Sequence, residues 1–297
     1  MSHDVPKRFG RRAFLVRTGV IGAALALADS NQFPGLSPSA STLSPSQLAP
    51  VFDALASDTI NGLVAFVVPG PDPYSIAQGV SDVAPGGIDA LATGFMLNAL
   101  DNFYPVPQEP LRLLAQSLCT GINDNLPEIP GLPVVTRLAE QLDLALGAAN
   151  SGQGTFPLSL MVALLLNFLA TLIDPTAVNG DFLSPFARLS FAQKTQAFAL
   201  LEGEASTVAA MIDSNLSEPA KESLSGLLEF LGGALVEFAA FGTYSEFGAF
   251  DASTRTVTMT PVGWTISQYL TVAPGRRPPE GWDEMKGYLG GETQASA

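Results

Sequence analysis

Histidine is nearly missing from this chain of 297 residues, and cysteine almost so. The one histidine, His3, and the one cysteine, Cys119, cannot build a Ser-His-Asp or Cys-His triad in the body of the chain. Zinc sites of His and Cys, His-held haem and Cys-ligated iron–sulfur clusters are excluded for the same reason. A lone cysteine forms no disulfide within one chain, and Cys119, between Leu118 and Thr120, reads as a small buried apolar residue. No Gly-x-Gly-x-x-Gly fingerprint, P-loop or Ser-x-x-Lys dyad occurs, so the chain carries no recognisable nucleotide site or acyl-transfer dyad. Lysine is scarce, with four in the whole chain. Basic clusters able to neutralise phosphates are therefore absent after the N-terminus, which argues against nucleic acid as a partner.

What the N-terminus does hold is an address. Lys7, Arg8, Arg11, Arg12 and Arg17 precede an apolar stretch, Thr18 to Leu27, rich in Gly and Ala. Within it, Arg11-Arg12-Ala13-Phe14-Leu15 fits the twin-arginine export signal, with Arg11, Arg12, Phe14 and Leu15 as its determinants. The apolar stretch is about ten residues, short of the ~20 that a helix needs to cross a bilayer. Ala26-Leu27-Ala28 offers a small-x-small cleavage site. The expectation is a signal peptide over 1–28 and an exported protein, periplasmic or extracellular, with cell-surface association left open. Cleavage would remove five of 14 basic and one of 28 acidic residues, leaving nine and 27 and a net charge of −18. Such acidity favours solubility and is met in secreted proteins of salty environments.

The remaining chain is 47% apolar overall and long enough for one large core. Residues 29–44, rich in Ser and Pro, read as a linker. Ser44-Pro45-Ser46-Gln47 is a helix start, with Leu48, Phe52 and Leu55 following on one face. Residues 69–87, dense in Pro and Gly, read as a long loop without regular elements. Helical patterns cover about 88–102, 109–122 and 133–148. Leu158 to Ile173 is the most apolar run, interrupted by Ser159, Asn167 and Thr171. It is read as a buried central helix, with an apolar-ligand wall or a membrane-dipping segment as alternatives. Ser190 and Gln193 form a capping box. Phe198, Leu201, Ala205, Val208 and Ile212 then repeat on one helical face. Ser217 and Pro219 open a further helix with a stripe of Leu224, Leu227, Leu228, Leu231, Leu235 and Phe238, and the two helices are expected to pair antiparallel across a short turn. Beyond Gly242, alternating Thr254, Thr256, Thr258 and Thr260 suit a short β-ribbon. Pro274 to Ala297 reads as an extended tail.

The fold class expected is therefore all-α: a multi-helix bundle with long Pro/Gly-rich loops, one short β-ribbon near the C-terminus and an extended tail. The helical domain is placed at 45–242 and the ribbon and tail at 243–297. Paired carboxylates remain the one route to catalysis without histidine. Glu202 and Glu204 lie on different helical faces, and Glu229 and Glu237 could share one, but solvated surface explains them best. No Asp-x-Asp-x-Asp calcium loop is present, and Asn215-Leu216-Ser217 is a glycosylation sequon at a helix cap.

The densest concentration of aromatics and glycines is Gly242-Thr243-Tyr244-Ser245-Glu246-Phe247-Gly248, followed by Thr260-Pro261-Val262-Gly263-Trp264 and, five residues on, Tyr269. Such residues either lock the C-terminal segment onto the helices or present a partner surface. A leucine-rich helix running into Gly-x-Tyr-Ser, then Gly-Trp and Tyr, resembles the gluconate 2-dehydrogenase subunit 3 family over about 234–269. Phe186-Ala187-Arg188-Leu189-Ser190 with Lys194 extends the likeness more weakly to 186. The family tends to continue Tyr-Ser with Asp-Pro, where this chain has Glu246-Phe247. The resemblance implies a mostly helical, exported, non-catalytic small subunit, without a cofactor or metal of its own. It would escort a flavin-dependent dehydrogenase subunit of the glucose–methanol–choline class, and FAD would be expected in that partner. Tyr244, Ser245, Gly263, Trp264 and Tyr269 are the candidate interface. The competing reading is a free-standing secreted helical protein that binds an apolar ligand or touches, without spanning, a membrane surface.

Overall fold

A computed structural model describes residues 45–103, 157–178, 180–203 and 220–267. The signal segment, the linker, the helices expected at 109–122 and 133–148, Cys119, Glu204, the sequon, Tyr269 and the tail lie outside the described residues. Within them the protein is mainly α-helical, with seven α-helices and one two-stranded sheet. In chain order these are α1 (Pro45–Val67), α2 (Pro73–Ala77), α3 (Ala92–Asn98), α4 (Leu158–Ile173), α5 (Phe191–Gly203), α6 (Ala220–Tyr244) and α7 (Val262–Ser267). The strands are β1 (Phe250–Asp251) and β2 (Thr256–Val257).

The bundle is organised around α4. Every residue from Leu158 to Ala170 is buried, on all faces of the helix. An amphipathic surface helix would leave a polar stripe to water. This one instead meets α1 and α5, and the core includes Leu63 and Val64 from α1, Met96 from α3, Phe198 and Leu201 from α5 and Leu235 from α6. The run is thus the central core helix, and no helix among the described residues is long and apolar enough to cross a membrane.

Burial leaves the first turn of α4 with backbone N–H groups that need acceptors. Pro157 at its N-cap supplies no side-chain acceptor. Asp101 does so from a distance. It lies in a π-helical turn, Ala99–Phe103, that continues α3, and its carboxylate accepts from Ser159 N and Ser159 Oγ, both at 2.8 Å. Locally determined caps behave as the residues suggest. Gln193 N donates to Ser190 Oγ and Ser190 N donates to Gln193 Oε1 at 2.9 Å, the reciprocal pair of a capping box at the start of α5.

Two expectations need correction. The Pro/Gly-rich stretch 69–87 is not free of regular elements, because α2 lies inside it. Pro73 occupies the first turn, where a missing N–H costs nothing, and Asp72 accepts from Tyr74 N and Ser75 N at 2.9 and 3.0 Å. The boundary at 242 falls inside α6, which runs on to Tyr244, and the segment beyond it contains α7 as well as the ribbon. The short β-ribbon expected near the C-terminus is present, paired Phe250 to Val257 and Asp251 to Thr256. Residues 252–260 are exposed on both faces, so no buried side fixes a longer register. The turn joining α5 to α6 lies outside the described residues, although the two helices pack together.

Close backbone approach makes Gly62 irreplaceable. A Cβ there would stand 2.8 Å from Ala187 Cα, where α1 crosses the segment leading to α5. Gly62→Ala is expected to destabilise the fold by about 1–3 kcal/mol. The effect should appear as a lower urea midpoint with an unchanged slope.

Candidate functional site

Two features stand out beyond ordinary packing: a polar chain inside the core and an aromatic surface at the far end of α6. The polar chain is built on one stretch of α1, from Asp58 to Gly62. Asn167, fully buried in the middle of α4, donates to Thr59 Oγ1 at 3.1 Å and accepts from Ser184 Oγ at 2.7 Å and Phe186 N at 3.0 Å. Asp58 accepts Tyr74 Oη and Ser184 N, each at 2.6 Å. Asn61 continues the chain outward, donating to Tyr74 Oη at 3.1 Å and accepting from Thr93 Oγ1 at 2.7 Å. The α1 stretch thereby fixes α2, α3, α4 and the 182–189 segment at once.

Lys194 on α5 is the most unusual member. It is fully buried, donates to Gly62 O at 2.9 Å and Gln78 Oε1 at 2.8 Å, and lies over the Phe186 ring at 5.5 Å from its centroid. Both acceptors are neutral. Burial pushes the ammonium down to about 7, opposed by the fields of Asp72 and Asp58. Tyr74 is displaced the other way: burial first, then its hydrogen bond to Asp58, hold the phenol well above its usual range. Arg188, half-buried nearby, closes the 177–182 turn by donating to the carbonyls of Ala177, Gly180 and Phe182. These groups tie loops to helices.

At the aromatic surface, the structure brings four of the five predicted interface residues together. Gly263 sits directly on α6, and a Cβ there would be 2.6 Å from Tyr244 Cα, so α7 is locked to the end of α6 through backbone contact. Ser245 Oγ donates to Gly242 O at 2.8 Å and closes the helix end. Trp264 is half-buried on α7 beside that contact, while Tyr244 stays 48% exposed. Gly263 therefore performs the locking role, and Tyr244 faces outward. Tyr269, and the signal residues Arg11, Arg12, Phe14 and Leu15, lie outside the described residues.

The residues that dominate this surface were not on the predicted interface. Phe95 on α3 packs against Gly242, where a Cβ would be 2.6 Å from its ring. It gathers Phe238, Phe241 and Phe247 at centroid distances of 6.5, 5.6 and 5.6 Å. Phe241, Phe247 and Phe250 remain exposed, as does Leu91 at the head of α3. Phe241 stands off the buried leucine stripe of α6, which was the signal available in the sequence. Among the described residues, no group of three His, Cys, Asp or Glu side chains is placed to hold a metal ion.

Set against known proteins, the chain matches no family model, no curated protein and no solved structure.

The buried lysine gives the protein a defined pH response. The unfolded chain holds the Lys194 proton up to about pH 10.5, whereas the folded chain releases it at about pH 7. Between these values the unfolded state binds more protons, so stability rises with pH by up to about 1.4 kcal/mol per unit. Tyr74, whose folded value is raised, reverses the trend once pH exceeds its unfolded value of 10.0. Urea midpoints measured from pH 6 to pH 11 should climb to a maximum near pH 10. In Lys194→Met the climb should flatten; an unchanged profile would show that another group carries it.

Proposed function

We propose that the chain is an exported, non-catalytic small subunit that binds a flavin-dependent dehydrogenase subunit of the glucose–methanol–choline class and escorts it through the twin-arginine route. FAD and the redox chemistry belong to the partner. One observation carries the reading: the ring cluster around Phe95 holds Phe241 and Phe247 at the surface, in the same segment whose sequence resembles the gluconate 2-dehydrogenase subunit 3 family. Interfaces concentrate their binding energy in such aromatic anchors, and a soluble domain gains nothing by exposing them together. The twin-arginine signal supports the reading because that route carries folded cargo, which allows one signal to serve two bound chains.

The competing reading, an apolar-ligand or membrane-surface protein, drew its motive from the Leu158–Ile173 run. That helix is enclosed by the core from Leu158 to Ala170, which removes the motive.

Identifying the gene encoded beside this one, and co-expressing the chain with any flavoprotein it specifies, provides the test. A stoichiometric flavin-containing complex is expected on purification. Replacing Arg11 and Arg12 by Lys should strand both chains in the cytoplasm. Export of the flavoprotein undiminished by that double substitution would defeat the escort role.

A further inference from the structure

Residues 71–84, which include α2, lie on the bundle without joining its core. The buried residues among them are Asp72, Ser75 and Gln78, all polar, whereas Ile76, Val80 and Val83 are exposed. A segment seated this way gains little from apolar burial, and hydrogen bonds do most of the holding. At one end Tyr74 donates to Asp58 of α1 and stacks on Phe182, with centroids 4.4 Å apart. At the other, Gln78 bridges α1 and α5. Its Nε2 donates to Ala65 O at 2.8 Å, its carbonyl accepts from Phe191 N at 2.9 Å, and its Oε1 accepts from Lys194 Nζ at 2.8 Å.

The amine beneath Gln78 is fully answered in one protonation state only. A neutral lysine amine has two N–H groups, and its surroundings give two acceptors, Gly62 O and Gln78 Oε1. An ammonium brings a third N–H, which meets no third acceptor among the described residues and lies over the Phe186 ring instead. The charges that act on it are Asp72, from the segment itself, and Asp58 of α1, neither in an ion pair with it. Helix α4 has no charged residue, and the other charge of α5, Glu202, comes two turns later. Arg188 is engaged with the carbonyls of Ala177, Gly180 and Phe182. A buried charge held by neutral groups is costly, and hydration relieves it.

We propose that residues 71–84 form a proton-operated latch: the segment opens as Lys194 takes up a proton, lifting Gln78 off α1 and α5 and admitting water to the amine. The closed latch favours the neutral amine, and opening restores the lysine to its ordinary basicity. The closed state releases the proton at about pH 7 and the hydrated state at about pH 10.5, so between these values the open state binds more protons. Opening therefore becomes about tenfold easier for each unit by which pH falls through that window, and levels off below it. Tyr74 does not add to this slope below its unperturbed value of 10.0, because its phenol is then protonated in both states.

Native-state hydrogen exchange of the full chain between about pH 7.5 and pH 9 tests the latch, with protection factors corrected for the intrinsic pH dependence of exchange. The first reporter is Phe191 N–H, whose acceptor is Gln78 O itself; the second is Gln78 N–H, inside the segment. Amides in the middle of α4 report unfolding of the whole domain. Both reporters should be less protected than α4, and their protection should rise roughly tenfold for each pH unit. In Lys194→Met that rise should vanish. The Lys194 Cε resonance of the unsubstituted chain should titrate near pH 7, which assigns the slope even where the variant does not fold. Reporters that exchange more readily than α4 with no dependence of protection on pH would overturn the latch, because the segment would then open without hydrating the lysine. Reporters as protected as α4 would overturn it as well, since the segment would open only with the whole fold. A slope that persists in Lys194→Met would place the proton on another group, with the same consequence.

Discussion

Asn167 stands where the fold can least tolerate an unanswered polar group, in the middle of a helix buried on every face. Its amide is satisfied only if Thr59 of α1 stands opposite and the chain at Ser184 and Phe186 turns back across it. Leaving it unpaired would cost about 1–3 kcal/mol for each lost partner. Hydrophobic burial alone would accept several rotations and slides of α4 against α1, because leucine faces leucine in all of them. The amide accepts one. The same reasoning applies at the adjacent residue of α1, where Asp58 is answered by Tyr74 and by Ser184 N, and about one turn further on at Gly62, whose carbonyl meets Lys194. The apolar contacts supply the drive to collapse, and the polar chain selects which collapsed arrangement is native.

Lys194 carries this logic furthest. Its four methylenes reach through the core to a helix carbonyl and a side-chain amide oxygen. A hydrophobic residue in its place would fill the space and leave Gly62 O and Gln78 Oε1 without their lysine donor. Burial drives its titration down to about 7, against the opposing fields of Asp72 and Asp58. The residue therefore contributes to specificity more than to net stability.

Legibility in the sequence followed range. The capping box at Ser190 and Gln193 spans three residues and was readable as a pattern, as was the length of α4 between Pro157 and Asp174-Pro175. The cap that Asp101 places on Ser159 crosses 58 residues and has no local signature. The interruptions at Ser159 and Asn167 were visible in the apolar run, but only the fold shows that each is a hydrogen-bonding post. Pro73 was taken for a breaker because proline was weighed by type, whereas its position directly after Asp72 makes it a helix starter. At the surface, glycine and aromatic density located the right segment, and Gly263 proved to matter for its lack of a side chain. Phe95 and Leu91 were missed because they come from α3, some 150 residues earlier in the chain, and because a left-handed leucine leaves no trace in composition.

The way the surface is built bears on the order of events that the proposed escort role requires. In that proposed role the two chains meet before crossing the membrane, so the surface would have to be complete while the signal is still attached. An interface that formed by ordering a flexible segment on contact would place that ordering cost on the binding step. Here the cost is met during folding. Phe95 lies against Gly242, Gly263 lies against Tyr244, and Leu91 is held left-handed by its surroundings, all through contacts that belong to the folded monomer. Each of these contacts depends in turn on α3 and α6 lying where the core puts them. Thr93 of α3 is tied to Asn61 of α1, beside the polar stretch that answers Asn167. The polar chain in the interior and the aromatic surface outside are thus successive parts of one construction, and a change that loosens the first should be felt at the second before the core itself gives way.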